Sequence, residues 1–179
     1  MFSERGEPGN PEKRYDFSVS EPDRNPFWLI PFYSSKSMMT IIWTDYSDDL
    51  DWQALSQLYD EAGMSAKAPG ALRTAFANSL HCCFLHQDGR LVGAGRALGD
   101  GVFVGYLSDI AVSPALQGQG LGKAIVSHLL QKLEGHQKIL LYANPGKEDF
   151  YRQFGFRRMC TAMAIFDNEQ RALARGFVE

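Results

Sequence analysis

One stretch limits the possible folds of this chain more than any other: Asp109-Ile110-Ala111-Val112-Ser113-Pro114-Ala115-Leu116-Gln117-Gly118-Gln119-Gly120-Leu121-Gly122. A strand-like apolar run ends at Val112. A helix pattern opens near Gly120, where Leu121, Ile125, Leu129 and Leu133 repeat at i+4 with Leu130 beside them. A turn from strand to helix brings free backbone N–H groups and the positive end of the helix dipole to one spot. Glycines let an anion approach that backbone closely. The segment therefore predicts a cradle for phosphate or pyrophosphate. The plain alternative is a tight loop whose glycines serve only the turn.

Two familiar glycine patterns fail here. A Walker A loop needs a glycine five residues before the Gly-Lys pair and Ser or Thr after it. Gln117 and Ala124 occupy those places around Gly122-Lys123. A Rossmann fingerprint needs Gly-x-Gly-x-x-Gly, whereas Gly118, Gly120 and Gly122 are spaced by two throughout. Gly93 and Gly95 precede more strand pattern, not a helix, so they mark a bulge or a close backbone contact.

The surrounding elements follow from periodicity. Thr40–Thr44 reads as a short strand. Asp48 or Asp49 is a candidate cap for a helix carrying Leu50, Ala54, Leu55, Leu58 and Tyr59, closed by Gly63. A second helix follows Pro69 with Leu72, Ala75, Phe76 and Leu80. Strands are expected at Cys82–His86 and Leu91–Leu98, joined by an Asp88-Gly89 turn. Another strand covers Val102–Val112. Ile139–Ala143 is wholly apolar and reads as a central strand buried on both faces. A short helix at Glu148–Phe154 closes at Gly155, and Met159–Phe166 reads as a last strand.

In this setting Gln117-x-x-Gly120-x-Gly122 resembles the acetyl-coenzyme A signature of the GCN5-related N-acetyltransferases, the GNAT superfamily. A second block, Asn144-Pro145-Gly146-Lys147-Glu148-Asp149-Phe150-Tyr151-Arg152-Gln153-Phe154-Gly155-Phe156, resembles the family's closing motif. Together the blocks span about Leu107–Phe156. The resemblance implies an α/β fold with a mixed, twisted β-sheet, helices on both faces, and two splayed central parallel strands. Those strands would be Val102–Val112 and Ile139–Ala143, with acetyl-CoA as co-substrate in the gap between them.

The resemblance also implies contacts. Backbone groups of Ile110, Ala111 and Val112 would pair with the pantetheine arm. Gln117, Gly118, Gln119, Gly120, Leu121, Gly122 and Lys123 would hold the pyrophosphate. The Asn144 side chain would reach the pantetheine or a water, although it could also be a turn former before Pro145. Transfer from a thioester to an amine needs a neutral amine, a stabilised oxyanion and a proton on the departing sulfur. A backbone N–H near Val112 is expected to polarise the thioester carbonyl. Tyr151 is the candidate acid, or else packs only against Phe150 and Phe154; a downhill transfer to the thiolate is expected of it. Asp109 is the first candidate base, provided burial raises its pKa. It could instead bind the substrate ammonium, orient a water or cap a loop, and a purely structural carboxylate is an equal reading. His81 and His86 read as surface or core histidines, and His128 and His136 as solvated.

Composition narrows the rest. The chain has 179 residues, 45% apolar and 22% charged, which suits a globular domain. A net charge of -3 argues against general nucleic-acid binding. No run reaches membrane-span length, and the N-terminus lacks a signal peptide's apolar region. Three cysteines, two adjacent at Cys82 and Cys83, make no disulfide framework and no metal site. A reducing, cytoplasmic compartment is the expectation. Buried cysteines of this kind are inert packing, which disfavours a covalent route.

Residues 1–38 hold five of the eight prolines, Pro8, Pro11, Pro22, Pro26 and Pro31, and read as an N-terminal extension before a domain at 39–179. The first 24 or so are expected to be loose. Phe27–Tyr33 is too aromatic to stay in water and is expected to dock, unless the natural start is Met38 or Met39. The segment Asp45–Leu80 is expected to shape the acceptor pocket. Its acidic residues would attract a cationic amine, while Lys67 or Arg73 could equally recruit a carboxylate. The acceptor is a small-molecule amine or a protein amine. Homodimers are common in the family, but no interface is legible. The competing reading is a catalytically silent module that binds coenzyme A or a protein partner.

Overall fold

A computed structural model describes residues 28–34 and 37–179. The expectation of a loose segment before residue 24 lies outside the described residues, as does Phe27. Among the described residues six strands form one sheet in the order β1-β2-β3-β4-β5-β6. They are β1 (Trp28–Ser34), β2 (Ser37–Thr44), β3 (His81–Gln87), β4 (Arg90–Gly99), β5 (Val104–Val112) and β6 (Lys138–Leu140). All neighbours pair antiparallel except β5 and β6, which run parallel. The sheet is mixed, as the family resemblance implies.

Helices cover both faces. On one side, α1 (Trp52–Glu61) and α2 (Pro69–Ala77) bury Leu55, Leu58, Tyr59, Leu72 and Phe76 against Phe84, Ala94 and Ala111. On the other, α3 (Leu121–Lys132) buries Leu121, Ile125, Val126 and Leu129 against Cys83, Leu85, Ala97 and Leu107. The i+4 leucine pattern thus becomes the stripe facing the sheet. Small residues on β4 let α3 lie close. A Cβ added at Gly95 would sit 2.6 Å from Ile125 Cγ2, so only glycine fits without a shift. The close-contact reading of Gly95 is borne out.

Several boundaries differ from expectation. The cap of α1 is Asp51, whose carboxylate accepts from the N–H groups of Gln53 and Ala54, rather than Asp48 or Asp49. Leu80 lies beyond α2 and is exposed. β6 is three residues long, ends the described sheet and is only partly buried, so Ile139–Ala143 is not a central strand buried on both faces. Its partner contact stops at Leu140, and Tyr142 turns outward at 63% exposure. Met159–Phe166 forms no strand, and Met163 and Ile165 are fully exposed. That run interleaves alanines with its larger side chains and offers little apolar area to fix a register. A short helix α4 (Glu148–Arg152) precedes it, and α5 (Glu169–Ala174) follows.

Candidate active site

The site begins with a backbone irregularity. Ala94 pairs with Ala111, but Arg96 pairs with Ser108, so Gly95 alone faces both Asp109 and Ile110. This is a β-bulge, and it bends β5. Asp109 accordingly adopts φ 52°, in the left-handed region that Asp tolerates better than most residues. Past the paired positions Val104↔Lys138, Gly105↔Ile139 and Tyr106↔Leu140, β5 and β6 part. The gap is a cavity of about 90 Å³. Asp109 and Ile110 line it from β5, Tyr142 and Asn144 from the chain after β6, Tyr151 from α4, and Met64 from the α1–α2 connection.

The second part lies at the start of α3. Gln117 donates from Nε2 to the Val112 carbonyl at 3.0 Å, closing the loop back on β5. Gly118 and Gly120 take φ 76° and 90°, where a side chain would be strained. Gly120 is the N-cap of α3 and supplies no side-chain acceptor to the first turn. The opening N–H groups of the helix therefore have no capping side chain, which suits an anionic pyrophosphate. Lys123 is exposed on that turn. A Cβ at Gly122 would lie 3.5 Å from the Phe150 ring, so the helix start packs beside α4, which carries Tyr151. Gln117–Lys123 thus form the turn and first residues of α3, Ile110–Val112 lead into that turn, and Asn144 and Tyr151 line the gap with Ile110.

The setting of Asp109 is not that of a base. One carboxylate oxygen accepts from Lys67 Nζ, and the other from Arg96 Nε at 2.6 Å. The Tyr59 hydroxyl donates to the Asp109 carbonyl at 3.1 Å. Burial pushes the carboxyl pKa up, but Lys67 and Arg96 outweigh it and hold the group below the ordinary carboxylate value. Sequence reasoning names Lys67 only as a possible recruiter of an acceptor carboxylate and gives Arg96 and Tyr59 no site role. A clue was present, because an arginine inside the small, apolar strand Leu91–Leu98 needs a buried anion.

Tyr151 is half-buried against Phe150 and Phe156, with ring centroids 4.9 and 6.1 Å away. Burial raises its pKa. This overturns the expectation of downhill proton donation. Ordinary values of about 10 for a phenol and 8.5 for a thiol already set full transfer to a thiolate uphill by roughly 2 kcal/mol. A phenol held protonated is instead a hydrogen-bond donor to developing charge on sulfur.

Other expected groups lie elsewhere. His128 is not solvated. Its Nε2 lies 2.8 Å from Asp45 Oδ1, and its ring is 5.6 Å from Trp43. Lys132 binds the other Asp45 oxygen, so Asp45 faces α3 and does not line the cavity. His136 hydrogen-bonds through Nδ1 to the Leu133 carbonyl, and its Nε2 is buried without a partner. Burial lowers the pKa of His81 and of His86, and neither lines the cavity. Burial pushes the Cys82 thiol up to about 11, and Cys83 is fully buried, consistent with inert packing. Among the described residues no group of His, Cys, Asp and Glu is arranged to hold a metal ion. No described helix is long and apolar enough to cross a membrane.

Comparison with known proteins agrees with this geometry. The model of the acetyltransferase (GNAT) family matches residues 36–156. Over 116 residues the chain is 37% identical to the chloroplastic serotonin N-acetyltransferase 2 of Oryza sativa subsp. japonica, covering 62% of this chain and 58% of that protein. It is 33% identical over 129 residues to an uncharacterised ycf52-like N-acetyltransferase of Prochlorococcus marinus, covering 69% and 71% of the two chains. The chain thus spans little more than half of the rice relative. A solved structure from Staphylococcus aureus, described as a probable acetyltransferase, aligns with TM-score 0.64 and 28% identity, over 72% of this chain and 98% of that one. With the bulged and splayed strands, the glycine turn at the start of α3 and a family match covering both, the chain belongs to the GNAT acetyltransferase family.

Proposed function

We propose that the protein moves the acetyl group of acetyl-CoA to a primary amine by direct attack in a ternary complex. One observation carries this reading. The uncapped start of α3 packs through Gly122 beside α4, and α4 carries the Tyr151 that lines the gap between β5 and β6. A pyrophosphate at Gln117–Lys123 leaves the thioester arm running along Ile110–Val112 toward Tyr151 and Asn144.

In the transfer, the amine lone pair attacks the thioester carbonyl and the C–N bond forms. A backbone N–H of the β5 end stabilises the oxyanion. The C–S bond then breaks, and the sulfur leaves while accepting a hydrogen bond from the Tyr151 hydroxyl. The net proton moves from the amine nitrogen to the sulfur, giving an amide and free coenzyme A. Asp109 holds the bulge through Lys67 and Arg96 and takes no proton.

The cavity lining supports a narrower choice of acceptor. Its lining carboxylate, Asp109, has both oxygens engaged by cations, while Ser108, Asn144, Tyr106, Tyr142 and Tyr151 bring neutral polar groups beside Leu141 and Met64. The lining thus offers no unpaired carboxylate to draw a polycation, which favours a small amine acceptor. The rice relative is named a serotonin N-acetyltransferase, in keeping with a small amine acceptor. A second reading, a silent module, draws on the same pairing, since the cavity offers no free carboxylate or imidazole as base.

A thermal-unfolding titration with acetyl-CoA, beside ATP and NAD, tests the reading. Ligand at one hundred times its dissociation constant adds about 2.7 kcal/mol of apparent stability. Stabilisation by acetyl-CoA alone, followed by thiol release with an aromatic amine, is the expected result. No shift under a cooperative melt overturns the reading. Binding without thiol release to any primary amine favours the silent module.

A further inference from the structure

Asp109 is gripped at its side chain and at its main chain. Lys67 and Arg96 take the carboxylate, and the Tyr59 hydroxyl donates to the backbone carbonyl at 3.1 Å. Charge explains the first two contacts. The third comes from a fully buried phenol on α1, which burial keeps protonated and therefore a donor. It reaches a peptide that lies outside the sheet's hydrogen-bond ladder. Hydrogen-bonded pairs alternate along an antiparallel ladder. The Ser113 N–H donates to the Val92 carbonyl at 2.8 Å, and the Asp100 N–H to the Val104 carbonyl at 3.2 Å. Counting inward by twos from these ends makes Ala94↔Ala111 and Arg96↔Ser108 the bonded pairs. Asp109 and Ile110 fall between them, so β4 offers their main chain no ladder partner. On the other side, pairing with β6 ends at Tyr106↔Leu140.

Peptide planarity then gives the direction of the Ile110 N–H. The described chain has no cis peptide, and in a trans peptide the C=O and the following N–H point opposite ways. Tyr59 holds the Asp109 carbonyl from the α1 face of the sheet. The Ile110 N–H therefore points away from α1, toward the face where Tyr151 packs with the α3 cluster. Ile110 and Tyr151 both line the cavity. The left-handed φ of 52° at Asp109 lies above the β region in energy, so a relaxed Asp109 would turn this peptide. The carboxylate contacts grip the side chain and leave the peptide plane to Tyr59.

We propose that Tyr59 is a positioning residue for the transfer: it holds the Asp109–Ile110 peptide so that the Ile110 N–H faces the cavity and receives the thioester carbonyl oxygen. This rests on the acetyl-transfer reading of the same cavity. Tyr59 itself gains and loses no proton. It fixes in advance the donor that meets the oxyanion, so none of that orientation is left to be found during the reaction.

The test uses the full chain and acetyl-CoA carrying ¹³C at the thioester carbonyl, read by isotope-edited infrared spectroscopy. Tyr59→Phe keeps the ring and removes the donor. An ester in place of the Asp109–Ile110 amide removes the Ile110 N–H and leaves Tyr59 in place. The bound carbonyl band is expected at higher frequency in each variant than in the wild type. Adding Tyr59→Phe to the ester should move it no further, because both act through one N–H. The preference for acetyl-CoA over the thioether S-ethyl-CoA, which lacks the carbonyl oxygen, should narrow about three- to tenfold in Tyr59→Phe, the effect of one hydrogen bond. A merely structural Tyr59 would lower the Tm of the variant and leave band and preference as in the wild type, which overturns the proposal. An ester that keeps the wild-type band overturns it as well, and this arm stands even where Tyr59→Phe fails to fold. A wild type whose Tm acetyl-CoA does not raise instead sinks the acetyl-transfer reading, and the proposal with it.

Discussion

Arg96 Nε lies 2.6 Å from Asp109 Oδ2, across a bulge that places the aspartate at φ 52°. Both side chains are largely buried, at 14% and 10% exposure. Asp109→Ala leaves Arg96 buried without its anion and is expected to cost about 3–5 kcal/mol of stability, read from urea unfolding. The pH dependence has a definite sign. The folded pKa of Asp109 is depressed, so its contribution is complete above about pH 4, the ordinary aspartate value. It is lost as the pH falls through the depressed folded value. The stability gap between wild type and Asp109→Asn should therefore be widest near neutrality and shrink in strong acid. A gap that grows on acidification contradicts the pairing.

Tyr151→Phe removes a hydroxyl and keeps the ring packing against Phe150 and Phe156. Under the proposed mechanism kcat should fall about a hundredfold, with KM for acetyl-CoA little changed. Steady-state thiol release decides it. A kcat within twofold of wild type would reduce Tyr151 to packing.

Gly120 separates backbone strain from charge. At φ 90°, Gly120→Ala should destabilise the protein by about 1–2 kcal/mol while leaving acetyl-CoA binding measurable. Gly120→Glu adds a carboxylate beside the cradle and should abolish the acetyl-CoA-induced rise in Tm. Equal ligand shifts in the two variants would place the pyrophosphate elsewhere.

Gly95→Ala tests the seating of α3. The new methyl would lie 2.6 Å from Ile125 Cγ2 and 3.1 Å from Leu129 Cδ1. Overpacking of this kind costs about 1–3 kcal/mol. Pairing it with Ile125→Val should recover part of the loss, and a double-mutant cycle in urea measures the coupling.

Where the chain's local chemistry and its tertiary setting agree, the sequence was legible. The leucine stripe of α3, the Asp88-Gly89 turn and the glycines before α3 each carry a local cause, and each stands where the pattern put it. Misreadings arose where distant partners decide the outcome. The apolar run at Ile139–Ala143 looked central because its composition is that of a strand buried on both faces. In the fold it diverges from β5 after Leu140, and divergence is a property of the pair. Asp109 stays open in the sequence between a base and a structural carboxylate, because nothing near it shows Lys67, 42 residues upstream. His128 looked solvated because Asp45 is 83 residues away. The Tyr59 contact with the Asp109 carbonyl was illegible for the same reason, since the two residues are 50 apart.

The glycines of β4 and β5 beneath α3 have a consequence for substitution. Gly93, Gly95 and Gly105 form a trough in which Ile125, Leu129 and Leu133 rest at contact distance. The helix bedded there is the one whose uncapped first turn is proposed as the pyrophosphate cradle. The cradle's height above the sheet is thus set by three residues with no side chain. Each of those positions can change only toward larger residues, and every such change lifts the helix and its opening turn together. Variation in the loop Gln117–Gln119 can retune the grip on a ligand, but only the trough can relocate it.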